Sequence, residues 1–225
     1  MYAIKMGRSF SWQRFDALPV VGILRHFPSH QVEMLATQYW QAGLTTLEVT
    51  LNSPDAVGML SLLANRFGDR LNIGAGTVCT KKDLGKALDA GAQFIVMPIL
   101  DKEVIKACRK EKIPVFPGAY TPTEIYKAWS LGADMVKVFP AGDLGPRYIK
   151  EVLAPLDQIR LLPTGGISPE NYADFFQAGA KGVGMGSHLF PRHLVENGDW
   201  EELGKFFSAF VMSYKEQALR WKTKH

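Results

Sequence analysis

The segment Leu131-Gly132-Ala133-Asp134-Met135-Val136-Lys137-Val138-Phe139-Pro140 joins a glycine-terminated helix to a short apolar strand. A glycine directly after a helix is a common C-terminal signal, because it adopts the left-handed conformation without steric cost. The same pattern occurs three more times, at residues 42–50, 90–98 and 178–186. The repeats lie roughly 40 to 50 residues apart, which leaves room for one more strand and helix in each interval.

Four further apolar runs bring the predicted number of strands to eight. They are residues 19–24, 71–75, 113–117 and 159–163. Helical patterns such as residues 31–41 and 102–112 separate the strands. Alternating strands and helices predict a parallel sheet, and eight units in 225 residues predict a closed (β/α)8 TIM barrel of the α/β class. An open, doubly wound sheet is the alternative.

The composition predicts a single domain over residues 1–225, with an extra N-terminal helix at residues 11–15 and another helix at residues 200–221. Hydrophobic residues make up 47% of the chain, enough for one large core. No apolar run is long enough to cross a bilayer, and residues 1–6 lack the apolar core of a signal peptide. Since Cys79 and Cys108 are the only cysteines, we expect a reduced, cytoplasmic protein.

The net charge of +4 is spread along the chain. Basic residues mostly stand beside acidic ones, as in Arg109-Lys110-Glu111-Lys112, and we interpret the basic residues at 220–225 as a solvated helix end. We therefore expect neither nucleic acid nor a membrane as a partner. A mildly basic protein instead suits a small anionic substrate.

A lysine lies in the middle of the quoted strand, where an unpaired ammonium group is costly to bury. A desolvated lysine loses its proton more readily, and the neutral amine can form a Schiff base with a substrate carbonyl. In residues 46–51 polar and apolar side chains alternate, so Glu48 is predicted to face the barrel axis, as Lys137 does. Two inward charges at strand ends favour catalysis. A lysine that snorkels to water and a structural ion pair are the alternatives.

Glycine-rich loops follow the seventh and eighth predicted strands. They are Pro163-Thr164-Gly165-Gly166-Ile167-Ser168 and Gly184-Met185-Gly186-Ser187. In a (β/α)8 barrel these two loops commonly bind phosphate through backbone N–H groups. They predict a phosphate on the substrate, with ordinary tight turns as the alternative. Nearer the middle of the chain, the Thr77 hydroxyl can bind a carboxylate, and Gly118 lets a ligand approach closely.

These motifs together resemble the 2-keto-3-deoxy-6-phosphogluconate (KDPG) and 4-hydroxy-2-oxoglutarate aldolase family. The resemblance extends from Val20 to about Ser187. It is carried by Leu47-Glu48-Val49-Thr50-Leu51, Gly74-Ala75-Gly76-Thr77-Val78, Pro117-Gly118, Lys137-Val138-Phe139-Pro140, Pro163-Thr164-Gly165-Gly166-Ile167-Ser168 and Gly186-Ser187.

The resemblance implies a homotrimeric class I aldolase without metal or cofactor, which cleaves KDPG to pyruvate and glyceraldehyde 3-phosphate. Lys137 is then the Schiff-base lysine and Glu48 the general acid/base. The implied substrate-binding residues are Arg25, Thr77, Pro98, Gly118 and Thr164, and the implied phosphate ligands are Gly165, Gly166, Gly186 and Ser187. Neither His26 nor His188 has a partner at metal-ligand spacing, which agrees with the absence of a metal.

One departure concerns the substrate carboxylate. Several members carry arginine where this chain has Asn52, whereas others have it at the end of the first strand, as Arg25 here. A guanidinium group from that strand can supply a charge-assisted contact. Residues 51–54 and 144–150 also resemble phosphogalactonate aldolases, which act on the C4 epimer and tend to lack a threonine at position 164. Thr164 therefore favours the gluconate substrate.

Two other function classes use the same phosphate loops. A phosphosugar isomerase or epimerase does not need Lys137, and a non-catalytic phosphosugar-binding protein does not need it either. The sequence leaves three properties of an aldolase open: the accepted C4 stereochemistry, the activity on unphosphorylated 2-oxo-4-hydroxy acids, and the pathway.

Overall fold

The computed structural model describes residues 9–222. The strands are β1 (Val20–Leu24), β2 (Thr46–Thr50), β3 (Asn72–Gly76), β4 (Ile95–Val96), β5 (Val115–Phe116), β6 (Gly118–Ala119), β7 (Val136–Val138), β8 (Leu161–Pro163) and β9 (Val183–Met185). The helices are α1 (Trp12–Ala17), α2 (Val32–Gln41), α3 (Ala56–Phe67), α4 (Lys81–Asp89), α5 (Lys102–Lys110), α6 (Pro122–Ser130), α7 (Gly145–Leu153), α8 (Tyr172–Gln177), α9 (Arg192–Asn197) and α10 (Trp200–Lys222). The predictions about residues 1–6, about the tail after residue 222 and about both ends of the domain lie outside the described residues.

The repeated glycines end helices as predicted. Gly43, Gly91, Gly132 and Gly179 all have φ between +92° and +103°, a region that favours glycine. A strand follows within a few residues of each, which produces the regular alternation of helix and strand. The predicted helices at 11–15 and 200–221 are also confirmed, as α1 and α10.

All strand pairs are parallel and form two sheets, which confirms the α/β class. Six strands lie in the order β5-β4-β3-β2-β1-β9, and three in the order β6-β7-β8. The predicted fifth strand is divided, because Pro117 has no N–H for the ladder, so the described residues form nine strands rather than eight. The carbonyl oxygen of Pro117 still accepts a hydrogen bond of 2.9 Å from the backbone N of Lys137. A bridge between Thr164 and Gly184 connects the other edges of the two sheets.

The N-terminal ends of the strands are covered by α1. The side chain of Asn72, the first residue of β3, accepts a hydrogen bond from Ser11 N (2.8 Å) and donates one to Ser11 O (3.0 Å). Phe15 of α1 is fully buried in an aromatic cluster with Phe94 and Phe116. This end of the fold is therefore filled by packed rings, and the opposite, carboxyl ends of the strands remain for a ligand.

A separate observation concerns the membrane. Among the helices of residues 9–222, none is both long and apolar enough to cross a bilayer.

We predict that α1 contributes to stability through Phe15. Replacing this fully buried ring (Phe15→Ala) should lower the free energy of unfolding by about 3–5 kcal/mol, as expected for loss of a buried aromatic side chain. Urea denaturation measures the change. The control Leu219→Ala removes a side chain that is 67% exposed and should cost less than about 0.5 kcal/mol. Equal effects of the two substitutions would contradict the assignment of α1 to the core.

Candidate active site

Lys137 occupies the middle of β7 and is 3% exposed. Its neighbours Val136 and Val138 are fully buried on the other face of the strand. The Nζ atom lies 4.9 Å from the centre of the Phe139 ring, close enough for a cation–π interaction when the amine is protonated. The predicted alternative of a lysine that snorkels to water does not fit a side chain with so little exposure.

Glu48 lies in β2, opposite Ile23 of β1 and Gly74 of β3, and is 1% exposed. Its Oε2 atom is buried and has no hydrogen-bond partner within residues 9–222. Gly76 makes room for the carboxyl group, since an added Cβ there would come within 2.4 Å of Glu48 Oε1. The fold thus keeps space for a carboxyl group whose second oxygen is available to a ligand.

Burial determines the ionisation of this pair. Desolvation lowers the pKa of Lys137 from its usual value, and this effect outweighs the attraction of Glu48, which raises it. The pKa of Glu48 is raised by the same cause, against the charges of Lys137 and Arg25. Both shifts favour uncharged forms. A neutral amine is a nucleophile and a protonated carboxyl group is a proton donor, so both shifts act in the direction that acid–base and nucleophilic chemistry requires.

Three further predicted residues lie at the ends of neighbouring strands. Thr77, directly after β3, has φ +59°, a strained conformation for a β-branched residue. Gly118 pairs with Lys137 across the sheet and lies so close to Pro98 that an added Cβ would come within 2.3 Å of its carbonyl oxygen. Pro98 and Gly118 thus pack together beside Lys137, and only a glycine fits at position 118.

A cavity of about 330 Å³ opens at the carboxyl ends of the strands. Six predicted residues line it, namely Arg25, Thr164, Gly165, Gly166, Gly186 and Ser187. Thr164 is 3% exposed and its hydroxyl donates to the backbone O of Leu162 (3.2 Å). Gly165 and Gly166 have φ of +87° and +75°, so the loop that they form needs glycine at both positions.

The lining also contains residues that sequence reasoning missed. Phe139 belongs to the lining and reaches Lys137, which connects the cavity to the buried amine. Its place within the motif Lys137-Val138-Phe139-Pro140 is a signal that could have identified it as a site residue. His188 and Arg192 line the cavity too, and Arg192 has no motif around it. Five predicted residues are not part of this lining but lie in or shortly after neighbouring strands, namely Lys137, Glu48, Thr77, Pro98 and Gly118.

A larger groove of about 510 Å³ lies elsewhere, between α2 and α10. Its ionisable residues Glu201 and Lys205 are exposed and paired with each other at 2.9 Å. None of its lining residues contacts Lys137 or Glu48, whereas Phe139 in the lining of the smaller cavity contacts Lys137, so we assign the site to the smaller cavity. Within the described part of the chain, no three or more His, Cys, Asp or Glu residues are grouped to hold a metal ion.

Comparison with known proteins gives a consistent result. The model of the KDPG and KHG aldolase family matches residues 13–206. The chain is 34% identical over 206 residues to the 2-dehydro-3-deoxy-6-phosphogalactonate aldolase of Escherichia coli K12, with 91% of this chain and 98% of that protein covered. It is 32% identical over 188 residues to the KHG/KDPG aldolase of the same strain, with 83% and 88% covered.

A solved structure is similar over nearly its whole length. It is a KDPG aldolase from Legionella pneumophila with pyruvate captured as a covalent carbinolamine intermediate. The TM-score is 0.81 at 32% identity, with 88% of this chain and 96% of that chain covered.

The electrostatics of the site lead to a test on Lys137. Because Glu48 raises the pKa of Lys137, the substitution Glu48→Gln should lower that pKa further. Competitive labelling of amines with acetic anhydride, read by peptide mass spectrometry over a pH series, measures the midpoint. The control Glu103→Gln changes an exposed carboxylate paired with Lys81 and should leave the Lys137 midpoint in place. A midpoint that rises in Glu48→Gln would contradict the described coupling.

Proposed function

Because the chain belongs to the KDPG and KHG aldolase family, and is therefore a lyase, we propose that it is a class I aldolase acting through Lys137. Its proposed reaction is the cleavage of KDPG to pyruvate and glyceraldehyde 3-phosphate. The same residues would cleave 4-hydroxy-2-oxoglutarate to pyruvate and glyoxylate. The observation that carries the proposal is the buried lysine whose pKa is lowered by desolvation.

The first half of the reaction forms the Schiff base. The neutral Nζ of Lys137 attacks the C2 carbonyl carbon, and protonated Glu48 gives its proton to the carbonyl oxygen to form a carbinolamine. Loss of water from the carbinolamine leaves a protonated imine. A free lysine with a pKa of about 10.4 is neutral in well under one molecule in a thousand at pH 7, so the lowered pKa is what makes the attack feasible.

The second half cleaves the carbon–carbon bond. The Glu48 carboxylate takes the C4 hydroxyl proton, the electron pair of the C3–C4 bond moves toward the protonated imine, and the aldehyde departs. The enamine that remains takes up at C3 the proton that Glu48 now holds. Water then hydrolyses the resulting protonated imine, which releases pyruvate and neutral Lys137 and returns a proton to Glu48. The Oε2 atom of Glu48, which has no hydrogen-bond partner among residues 9–222, is an acceptor suited to these transfers.

Binding groups on either side orient the substrate. The charge of Arg25 lowers the pKa of both Lys137 and Glu48, so Arg25 lies near them. Arg25 is proposed to bind the C1 carboxylate together with Thr77. Pro98 and Gly118 are proposed to line the pyruvate end beside Lys137. The loop glycines at 165, 166 and 186, with Ser187, are proposed to bind the phosphate.

We also propose that the two sheets are parts of one closed (β/α)8 barrel in a single domain. The hydrogen bond from Asp134 N, just before β7, to Val115 O of β5 (3.1 Å) and the Thr164–Gly184 bridge support this, because each joins one sheet to the other. The homotrimer, the absence of metal and cofactor, and the cytoplasmic location stay predictions from the sequence. Light scattering that gives the mass of one chain would refute the trimer.

A second candidate substrate is the galactonate epimer at C4. The E. coli relative that is 34% identical is a phosphogalactonate aldolase. In addition, the Thr164 hydroxyl already donates its hydrogen to Leu162 O, so it can contact a substrate hydroxyl only as an acceptor. This restricts the way in which Thr164 could select the gluconate epimer, which remains the proposed substrate.

The proposed mechanism predicts a covalent adduct. Borohydride reduction in the presence of pyruvate should add one reduced pyruvate to Lys137, found by intact mass and peptide mapping. Lys137→Met should form no adduct and should lower pyruvate release by at least about 10³-fold, because the nucleophile is lost. Lys150→Met, at an exposed lysine, is the matched control and should behave as wild type. An adduct on another lysine, or none, would refute the mechanism.

The substrate assignment predicts a preference between epimers. Pyruvate release coupled to lactate dehydrogenase should give a kcat/KM for the gluconate epimer at least about tenfold above that for the galactonate epimer, the scale of one hydrogen bond. Thr164→Val, which keeps the shape but removes the hydroxyl, should reduce this ratio. A higher kcat/KM for the galactonate epimer would instead assign the enzyme to the second candidate substrate.

A further inference from the structure

The cavity at the strand ends carries a marked excess of positive charge. Its lining includes two arginines, Arg25 and Arg192, and contains neither aspartate nor glutamate. Guanidinium groups are protonated at all physiological pH values, whereas a phosphate monoester carries close to two negative charges at pH 7. The cavity therefore offers more cationic groups than a single carboxylate needs.

The segment that carries Arg192 is firmly anchored. Leu189 and Phe190 are fully buried, and the backbone N of Leu189 donates to Gly186 O at 2.9 Å. The Phe190 ring packs at 5.9 Å from the ring of Tyr39 and at 5.7 Å from that of Phe207. Arg192 follows two residues later, at the start of α9. Its backbone is thus held at the cavity by core packing, so little ordering is required when a ligand binds.

The two arginines come from different parts of the fold. Arg25 directly follows β1, and its charge lowers the pKa of both Lys137 and Glu48, so it lies near this pair. Arg192 lies at the start of α9, shortly after Gly186 and Ser187 in the chain, and these three residues line the cavity together. Neither guanidinium forms an ion pair within 4.0 Å with any residue of the described range.

We propose that Arg192 binds the substrate phosphate by charge-assisted hydrogen bonds and thereby selects phosphorylated over unphosphorylated substrates. This rests on the proposed aldol cleavage. Arg192 belongs to the segment that follows the phosphate-loop residues Gly186 and Ser187 and lines the cavity with them, while Arg25 serves the carboxylate that both classes of substrate share. Arg192 is thus a specificity residue that the phosphate-loop glycines do not reveal.

The test compares two substrates in one pair of variants. R192Q should lower kcat/KM for the phosphorylated sugar acid roughly 10- to 100-fold, the value of one charge-assisted hydrogen bond, chiefly through KM. For 4-hydroxy-2-oxoglutarate, which has no phosphate, the change should stay below about twofold. R25Q should instead lower kcat/KM for both substrates. R66Q, on α3 outside the cavity lining, is the control and should change neither.

Binding of inorganic phosphate separates this inference from the proposed function. Calorimetric titration should give a Kd at least about fivefold weaker for R192Q than for wild type, with R66Q unchanged. Equal Kd values, or equal losses of kcat/KM on both substrates in R192Q, would overturn the role of Arg192. If the wild type released pyruvate from neither substrate, the proposed function would fail, and the phosphate titration would still test Arg192.

Discussion

The proposed chemistry depends on one constraint, the burial of Lys137 and Glu48 in the same part of the fold. Moving the proton from the ammonium group to the carboxylate removes both charges without changing the number of bound protons. Desolvation drives both pKa values in the direction of that neutral pair. A neutral amine and a protonated carboxyl group are the two groups that carbinolamine formation requires. A buried ion pair adds little to stability, because desolvating both charges offsets their attraction, so a purely structural role does not explain why these two residues are buried.

The amino ends of the strands carry packed core residues, and the carboxyl ends carry the candidate active site. At the amino ends, α1 closes the fold with Phe15 and neighbouring rings, and the side chain of Asn72 fixes the backbone of Ser11. At the carboxyl ends the backbone contains a strained residue, and a cavity is open. Thr77 is held at φ +59°, and Gly76 leaves room for the Glu48 carboxyl group. The packed end stabilises the frame that keeps these less favourable features in position.

Much of this could be predicted from the sequence, because it depends on local signals. The helix-ending glycines such as Gly132 specify the alternation of helix and strand, and period-two patterning placed Glu48 and Lys137 inside the fold. Other features depend on distant packing. The strand β6, which follows Pro117, depends on the pairing of Gly118 with Lys137 of β7, and Arg192 follows a segment that Phe190 anchors in the core. The sequence also could not decide whether desolvation or Glu48 controls the pKa of Lys137, since that depends on the 3% exposure found only after folding.

The most direct test of the proposed chemistry is to measure the pKa of Lys137 in the unliganded wild-type protein. Labelling the lysine side chains with 13C at Cε allows the pKa of Lys137 to be read from its chemical shift during a pH titration, with Lys137→Met identifying the signal. If desolvation controls its ionisation, the pKa of Lys137 lies clearly below the value of about 10.4 for a free lysine. A pKa at or above that value would mean that Glu48 holds Lys137 as an ammonium ion, and it would contradict the proposal that burial supplies the nucleophile.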